Sequence, residues 1–315
     1  MVSECGNYYS FSTDRTWHDP RSLAGCVSQE RPLAQGHANP NQTLAKDDTM
    51  NGLDVGFIGG GRIVGAFLQR LQLCCWPVTG LRVSDPDLTA RTTLLSRFSG
   101  IEVGHDNRQA AERRFVFVAL HPRDMVQVLP SIAPHLNRKS VVISLAPLHC
   151  FASLQGLLGG FDRLVRMAPN APSVIGAGYN PVCYAPSITV AEREELEQLF
   201  SHFGAHPSVD ERALQAYAVL TALGPTYFWF QWQALRDLGK SYGLKPAEVD
   251  AGLSAMLDGA RRLMFDVGLS PEEIRDMTSE APLAEAESEI VDVLREKLTA
   301  QYRQYKDDHP TIGKR

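Results

Sequence analysis

The chain has 315 residues, enough for two domains. Hydrophobic residues make up 44% and charged residues 21%, an ordinary globular balance. The net charge of −5 argues against nucleic acid or an anionic membrane surface as a partner, and no apolar run reaches the roughly 18 residues of a membrane span.

Residues 1–50 are polar, without hydrophobic periodicity, and read as a disordered extension. They hold no apolar stretch of the kind a secretory signal needs. Glu4, Asp14, Asp19 and Glu30 are too many acids for a transit peptide. Met50 directly precedes the first predicted strand, so the natural start is expected there.

From residue 51 to 188 short apolar runs alternate with amphipathic ones. Strands are predicted at Leu53–Ile58, Leu81–Ser84, Phe115–Leu120, Ser140–Leu145 and Leu164–Ala168, with an edge strand in Asn180–Ala185. Helices are predicted at Ile63–Leu73, Leu88–Phe98, near Gln109–Glu112, at Arg123–Ile132 and at Leu148–Leu158. The strands are rich in Val, Ile and Phe, as expected when both faces are covered. This alternation predicts an α/β fold, a Rossmann-type doubly wound parallel sheet.

The first unit carries the strongest signal. Ile58 closes the strand, Gly59, Gly60 and Gly61 form a turn, and Arg62 and Ile63 open a helix. Glycines there let a ligand approach the backbone, and the helix start offers amides suited to a pyrophosphate. The third small residue of G-x-G-x-x-G falls on Val64, with Gly65 just after it.

Asp85 ends the second strand, roughly 20 residues past the glycines, where a carboxylate can accept bonds from an adenosine ribose. It is equally readable as a turn residue in Asp85-Pro86-Asp87. A carboxylate there repels a 2′-phosphate and leans toward NAD, although Arg82 and Arg91 are nearby cations. His121, in Ala119-Leu120-His121-Pro122, closes a strand facing the cofactor crevice; a solvated turn histidine is the alternative. Pro169-Asn170-Ala171-Pro172 is a rigid bend able to aim Asn170 into a cleft, or a structural turn.

Six cysteines occur without C-x-x-C spacing. Adjacent Cys74 and Cys75 point to different faces of a helix, so no metal is expected. A reduced, cytoplasmic chain is the simplest reading.

From 189 to 306 the pattern is helical, and 307–315 reads as a tail, with fraying expected from Lys306. Thr189-x-x-Glu192 and Ser270-Pro271-Glu272-Glu273 are capping boxes. A long helical run from Arg212 to Tyr242 contains Gly224-Pro225 and should kink there. A last helix is predicted from about Leu283. Broad apolar stripes with no sheet to cover predict an all-α dimerisation domain and a homodimer or higher homo-oligomer.

These pieces together resemble the pyrroline-5-carboxylate reductase family, from about Val55 to Tyr305. The resemblance rests on Gly56-Phe57-Ile58-Gly59-Gly60-Gly61, on Val118 to Pro122, and on Val165-Arg166-Met167-Ala168-Pro169-Asn170-Ala171-Pro172 with Gly176 and Gly178. Leu223-Gly224-Pro225-Thr226-Tyr227 and Arg275-Asp276-Met277-Thr278-Ser279 continue it. The resemblance implies hydride transfer from NAD(P)H to a cyclic imine, yielding proline, in an interlocked helical dimer; by resemblance the cofactor is NADPH, while Asp85 leaves NADH open. It implies that Gly59 to Ile63 hold the pyrophosphate and that Asp85, Asp87 and Asn107 lie near the adenosine. Ala119 to Pro122 and Leu145-Ala146 would line the nicotinamide side, with Asn170 close by. Thr221, Thr278 and Ser279 are the candidate hydroxyls for orienting a small-molecule substrate.

The chain departs from the family on the substrate side. His121 stands where the family usually has lysine. Thr278-Ser279-Glu280-Ala281-Pro282-Leu283-Ala284 replaces the family's Pro-Gly-Gly-Thr-Thr segment. Two other readings therefore stay open. One is a dimeric nucleotide-binding paralogue with a regulatory role. The other is a hydroxy-acid dehydrogenase, though Tyr217 to Leu235 lacks the lysine that class carries.

Overall fold

The computed structural model describes residues 54–76 and 80–307. The extension before Asp54, the proposed start at Met50 and the tail from 308 lie outside the described residues.

The sheet half contains β1 (Val55–Ile58), α1 (Arg62–Leu73), β2 (Arg82–Ser84), α2 (Leu88–Arg97), β3 (Glu102–Gly104) and α3 (Asn107–Ala111). It continues with β4 (Phe115–Val118), α4 (Pro122–Ile132), β5 (Val141–Ser144), α5 (Phe151–Leu157) and β6 (Leu164–Met167). Then come β7 (Gly178–Tyr179), β8 (Val182–Tyr184), α6 (Val190–Ser201) and β9 (Gly204–Ala205). The seven-stranded sheet has the order β3-β2-β1-β4-β5-β6-β8. All its pairs are parallel except β6 with β8, which makes β8 an antiparallel edge. β7 and β9 form a separate two-stranded ribbon.

Side-chain alternation divides the core. Phe57, Phe115 and Phe117 point to one face, where Val64, Phe67, Leu68 and Leu71 of α1 pack on them. Val116 and Val118 point to the other, against Met125, Leu129 and Ile132 of α4. Helix α6 lies beyond the predicted boundary at 189, yet its Leu196, Leu199 and Phe200 join the first of these layers. The capping box predicted at Thr189 is formed, with the Glu192 amide donating to Thr189 Oγ1 at 3.3 Å.

The sequence reading missed β3. Glu102-Val103-Gly104 has no apolar run, and it forms an outer strand through its pairing with β2.

The helical half comprises α7 (Leu214–Tyr217), α8 (Pro225–Ser241), α9 (Pro246–Asp266), α10 (Pro271–Arg275) and α11 (Glu287–Asp307). The single kinked helix predicted over Arg212–Tyr242 is more broken than expected. A 3₁₀ turn (Glu211–Ala213) leads into α7, and a π turn (Ala218–Ala222) separates α7 from α8. Pro225 has no N–H to give to the carbonyl four residues back, which is that of Thr221. The chain widens to i→i−5 spacing instead, with Leu223 N donating to Ala218 O at 3.1 Å. α11 begins at Glu287, after a 3₁₀ turn at Ala284–Ala286, and carries through Lys306 into the stretch predicted to fray. Among the described residues, no helix is long and apolar enough to cross a membrane.

Candidate functional site

The candidate site is the edge of the sheet formed by the C-terminal ends of its parallel strands. Backbone hydrogen bonds continue past the strand ends and hold the loops in register. Gly59 N donates to Ser84 O at 2.8 Å, Ala119 N to Ile58 O at 2.8 Å, and Leu145 N to Val118 O at 3.0 Å. The predicted residues Ile58 to Ile63, Asp85, Ala119 to Pro122 and Leu145-Ala146 are thereby brought to one edge.

The glycine turn is built for close approach. Gly59 has φ +94°, where other residues are strained, and a Cβ on it would lie 2.5 Å from Ala119 O. A Cβ on Gly60 would meet Leu94 Cδ1 at 2.8 Å, whereas one on Gly61 would meet nothing within 4 Å. The open side of the turn is thus at Gly61, which is also the N-cap of α1 and supplies no side chain to cap it. The first amides of α1 have no intrahelical partner, and a diphosphate suits them. Val64, standing where the motif usually has its third small residue, is fully buried in the core. Gly65 has open space beside it.

Asp85 crosses from β2 to the glycine turn. Its Oδ2 accepts from Gly60 N at 2.7 Å and its Oδ1 from Asp87 N at 2.8 Å. Asp87 caps α2, accepting from Thr89 N at 2.9 Å. Asn107 opens α3, and its Oδ1 accepts from the buried Ser84 hydroxyl at 2.7 Å. His121 is exposed and caps α4 weakly, its Nδ1 accepting from Arg123 N at 3.4 Å. His149 ties the two loops on the β4–β5 side together. Its Nε2 lies 3.1 Å from Pro122 O and its Nδ1 3.1 Å from Ser153 Oγ. A carbonyl only accepts, so Nε2 carries the proton.

Asn170 is buried and engaged within the chain. Its Oδ1 accepts from Tyr179 N at 3.0 Å, and its Nδ2 donates to Thr221 O at 3.3 Å. The carbonyl orphaned by Pro225 is the one this amide meets. Thr221 gives its own hydroxyl to Tyr217 O at 2.8 Å. Thr278 and Ser279 are exposed in the turn after α10, and no hydrogen bond joins them to Thr221 among the described residues.

Sequence reasoning missed the charged pair beneath these loops. Arg166, on β6 one strand in from the antiparallel edge, is 0% exposed. Its Nη1 donates to Glu211 Oε1 at 2.8 Å and its Nη2 to Pro147 O at 2.7 Å. Glu211 Oε1 also accepts from Phe151 N at 2.6 Å. Burial holds the guanidinium below the usual arginine range, opposed by the charge of Glu211. A lone arginine inside Leu164-Val165-Arg166-Met167 was the available signal, since a charge in a strand buried on both faces needs a partner. Among the described residues, no group of three or more His, Cys, Asp or Glu side chains suits a metal ion.

A doubly wound parallel sheet, a glycine turn at a helix start and a carboxylate ending β2 define the dinucleotide-binding class of oxidoreductases. The family model described as "NADP oxidoreductase coenzyme F420-dependent" matches residues 54–147. The pyrroline-5-carboxylate reductase of Pseudomonas aeruginosa is 27% identical over 223 residues, 70% of this chain and 81% of that protein. Human pyrroline-5-carboxylate reductase 2 is 25% identical over 230 residues, 71% of this chain and 72% of that protein. Among solved structures, a pyrroline-5-carboxylate reductase from Coxiella burnetii aligns with TM-score 0.65 and 23% identity, covering 83% of this chain and 100% of that one. The Plasmodium falciparum pyrroline carboxylate reductase with NADP bound aligns with TM-score 0.70 and 16% identity, covering 82% and 99%. Over most of its length the chain is similar to pyrroline-5-carboxylate reductases, at a divergent level, and these similarities support an NAD(P)-dependent oxidoreductase.

Proposed function

We propose that this protein reduces the C=N bond of a small cyclic imine with NAD(P)H, and that it works as a homodimer or a higher homo-oligomer. The observation that carries the reading is the glycine turn. Gly59 and Gly60 have no room for a Cβ, while the uncapped start of α1 stays open at Gly61.

In this reading the glycine turn from Gly59 to Ile63 seats the diphosphate, the amides at the start of α1 from Gly61 onward facing it while those of Gly59 and Gly60 are given to Ser84 O and Asp85 Oδ2. Asp85 takes the adenosine ribose, with Asp87 and Asn107 nearby. The loops Ala119–Pro122 and Leu145–Ala146 flank the nicotinamide, and His149 keeps them in register through Pro122 O. A bound reduced nicotinamide supplies the hydride. The chain has little bond chemistry of its own to do, because a protonated imine is already electrophilic and gains from orientation alone. Asn170 acts one step back, fixing the Thr221 turn on which the substrate side is built. Thr221, Thr278 and Ser279 are the hydroxyls proposed to orient the substrate.

The oligomer is supported by the helical half. Phe228, Trp229 and Phe230 of α8, and Met264 and Phe265 of α9, are all close to half exposed or more. Such a surface is the kind a second copy covers.

The test is nicotinamide oxidation by the purified chain with pyrroline-5-carboxylate and a series of other cyclic imines. Turnover with at least one imine is expected. Binding of the dinucleotide without turnover of any imine would favour the regulatory reading instead. The replaced segment Thr278–Ala284, exposed after α10, is the observation on its side.

A further inference from the structure

We infer that Asp85 makes this protein selective for NADH over NADPH. The inference rests on the dinucleotide reading above and specifies which dinucleotide the site takes.

The carboxylate is fixed in place. Asp85 directly follows β2, and its backbone N donates to Gly104 O at 3.0 Å, so the residue is strapped between neighbouring strand ends. Each carboxylate oxygen is then anchored by a different amide, Oδ2 by Gly60 N and Oδ1 by Asp87 N. A carboxylate oxygen accepts more than one hydrogen bond, so both keep capacity for a ligand. Two acceptors held side by side match the vicinal 2′- and 3′-hydroxyls of an adenosine ribose, which donate. A 2′-phosphate has no proton to offer at neutral pH and carries negative charge against a carboxylate that two amides prevent from turning away.

Three cations on the adenosine side of this edge are engaged within the chain, while Arg62, exposed at the first position of α1, stands at the glycine turn. Arg91 Nη1 donates to the carbonyls of Asp85 and Pro86, both at 2.8 Å. Arg82 pairs with Glu102 at 2.5 Å and also bonds Gln109. Arg108 folds back on Asp106 at 2.8 Å. Asp87, the other acid of the loop, spends its carboxylate on the Thr89 amide. Gly60 makes the arrangement possible. A Cβ there would lie 3.4 Å from Asp85 Oδ2 and 2.8 Å from Leu94 Cδ1, pushing the turn off the carboxylate.

The experiment is calorimetric titration of the full chain with NADH and NADPH, and with ADP-ribose and its 2′-phosphorylated form. The last two lack the nicotinamide, so their affinities do not depend on turnover. NADH and ADP-ribose are expected to bind at least about tenfold more tightly than their phosphorylated counterparts, the discrimination of one adverse charge contact. In Asp85→Ser and Asp85→Asn, the latter nearly isosteric, the two members of each pair should come within about threefold. Equal or tighter binding of the phosphorylated ligands by the wild-type chain overturns the selectivity while leaving the dinucleotide site standing. An unchanged ratio in both variants overturns the role of Asp85. Failure to bind any of the four ligands overturns the dinucleotide reading and the selectivity with it.

Discussion

The two halves of the described chain differ in how much of their folding each completes alone. In the sheet half, β1, β4, β5 and β6 are buried along their whole length. Helices cover both faces. In the helical half, α8 and α10 bury no side chain and α9 buries only Val249. The apolar content does not explain the difference, because α8 carries Tyr227-Phe228-Trp229-Phe230 and Trp232. What differs is the surface available to pack against. A parallel sheet generates its own cover through its crossover helices, whereas α8, α9 and α10 have mainly one another. The cofactor side of the proposed site therefore sits in a half whose strands are fully covered, and the substrate side in a half whose helices leave most of their apolar residues exposed.

The largest effect should come from attacking that asymmetry directly. Replacing Trp229 and Phe230 together by glutamate puts two charges on the proposed interface. A loss of roughly 4 kcal/mol, about a thousandfold in dimer dissociation constant, is expected from removing two central aromatic anchors. Sedimentation equilibrium reads it, with dinucleotide affinity expected to change little. A wild-type chain that sediments as a monomer at every concentration would remove the comparison's basis.

The next effect probes the seam between the halves. Glu211 belongs to the turn leading into α7, and Arg166 to the sheet. Glu211→Ala leaves a fully buried guanidinium without a counter-charge, expected to cost about 2–4 kcal/mol in chemical denaturation. Arg166→Met should cost less, because Glu211, with its side chain 33% exposed, can turn to water. The double variant should lose less than the sum of the two. Strictly additive losses would mean that the pair does not act as a unit.

A smaller effect is expected at Asn170. Asn170→Ala removes the donor to Thr221 O and the acceptor for Tyr179 N, about 1 kcal/mol for part-buried groups left unpaired. Its distinctive sign is where exchange protection is lost. Amide hydrogen exchange should quicken at Tyr179 and through the π turn, with β1 and β4 unchanged.

The same division explains what could be read without coordinates. The parallel sheet was legible because Phe115-Val116-Phe117-Val118 and its counterparts are buried on both faces and say so in composition. The glycine turn was legible because Gly59 has no substitute at φ +94°. β3 was not, since a three-residue outer strand buries too little to demand apolar residues. The seventh strand was placed within Asn180–Ala185 and found at Val182–Tyr184. The π turn was foreseen only as a kink. Pro225 announces a missing hydrogen bond, but the sequence does not say that Asn170, far upstream, meets the orphaned Thr221 carbonyl. Arg166 was quoted within the Pro-Asn-Pro segment without its meaning being drawn, because its partner Glu211 is set by tertiary packing and no spacing rule connects them.

The least effect on stability, and the sharpest on the comparison, should come from Thr278 and Ser279. Both are exposed within one copy, so Thr278→Ala with Ser279→Ala should move the melting midpoint by no more than about 0.5 kcal/mol equivalent. If a second copy completes the substrate side, the same pair of hydroxyls comes to face an imine. The double variant then loses about tenfold in kcat/KM, chiefly through KM, with dinucleotide affinity untouched. Mixing this variant with a chain disabled at the glycine turn tests the geometry. Should the defects lie on opposite halves of a shared site, mixed dimers regain one intact site and part of the activity. Should each copy act alone, mixing restores nothing, and an undiminished kcat/KM in the double variant would show that the exposed turn after α10 has no part in the chemistry.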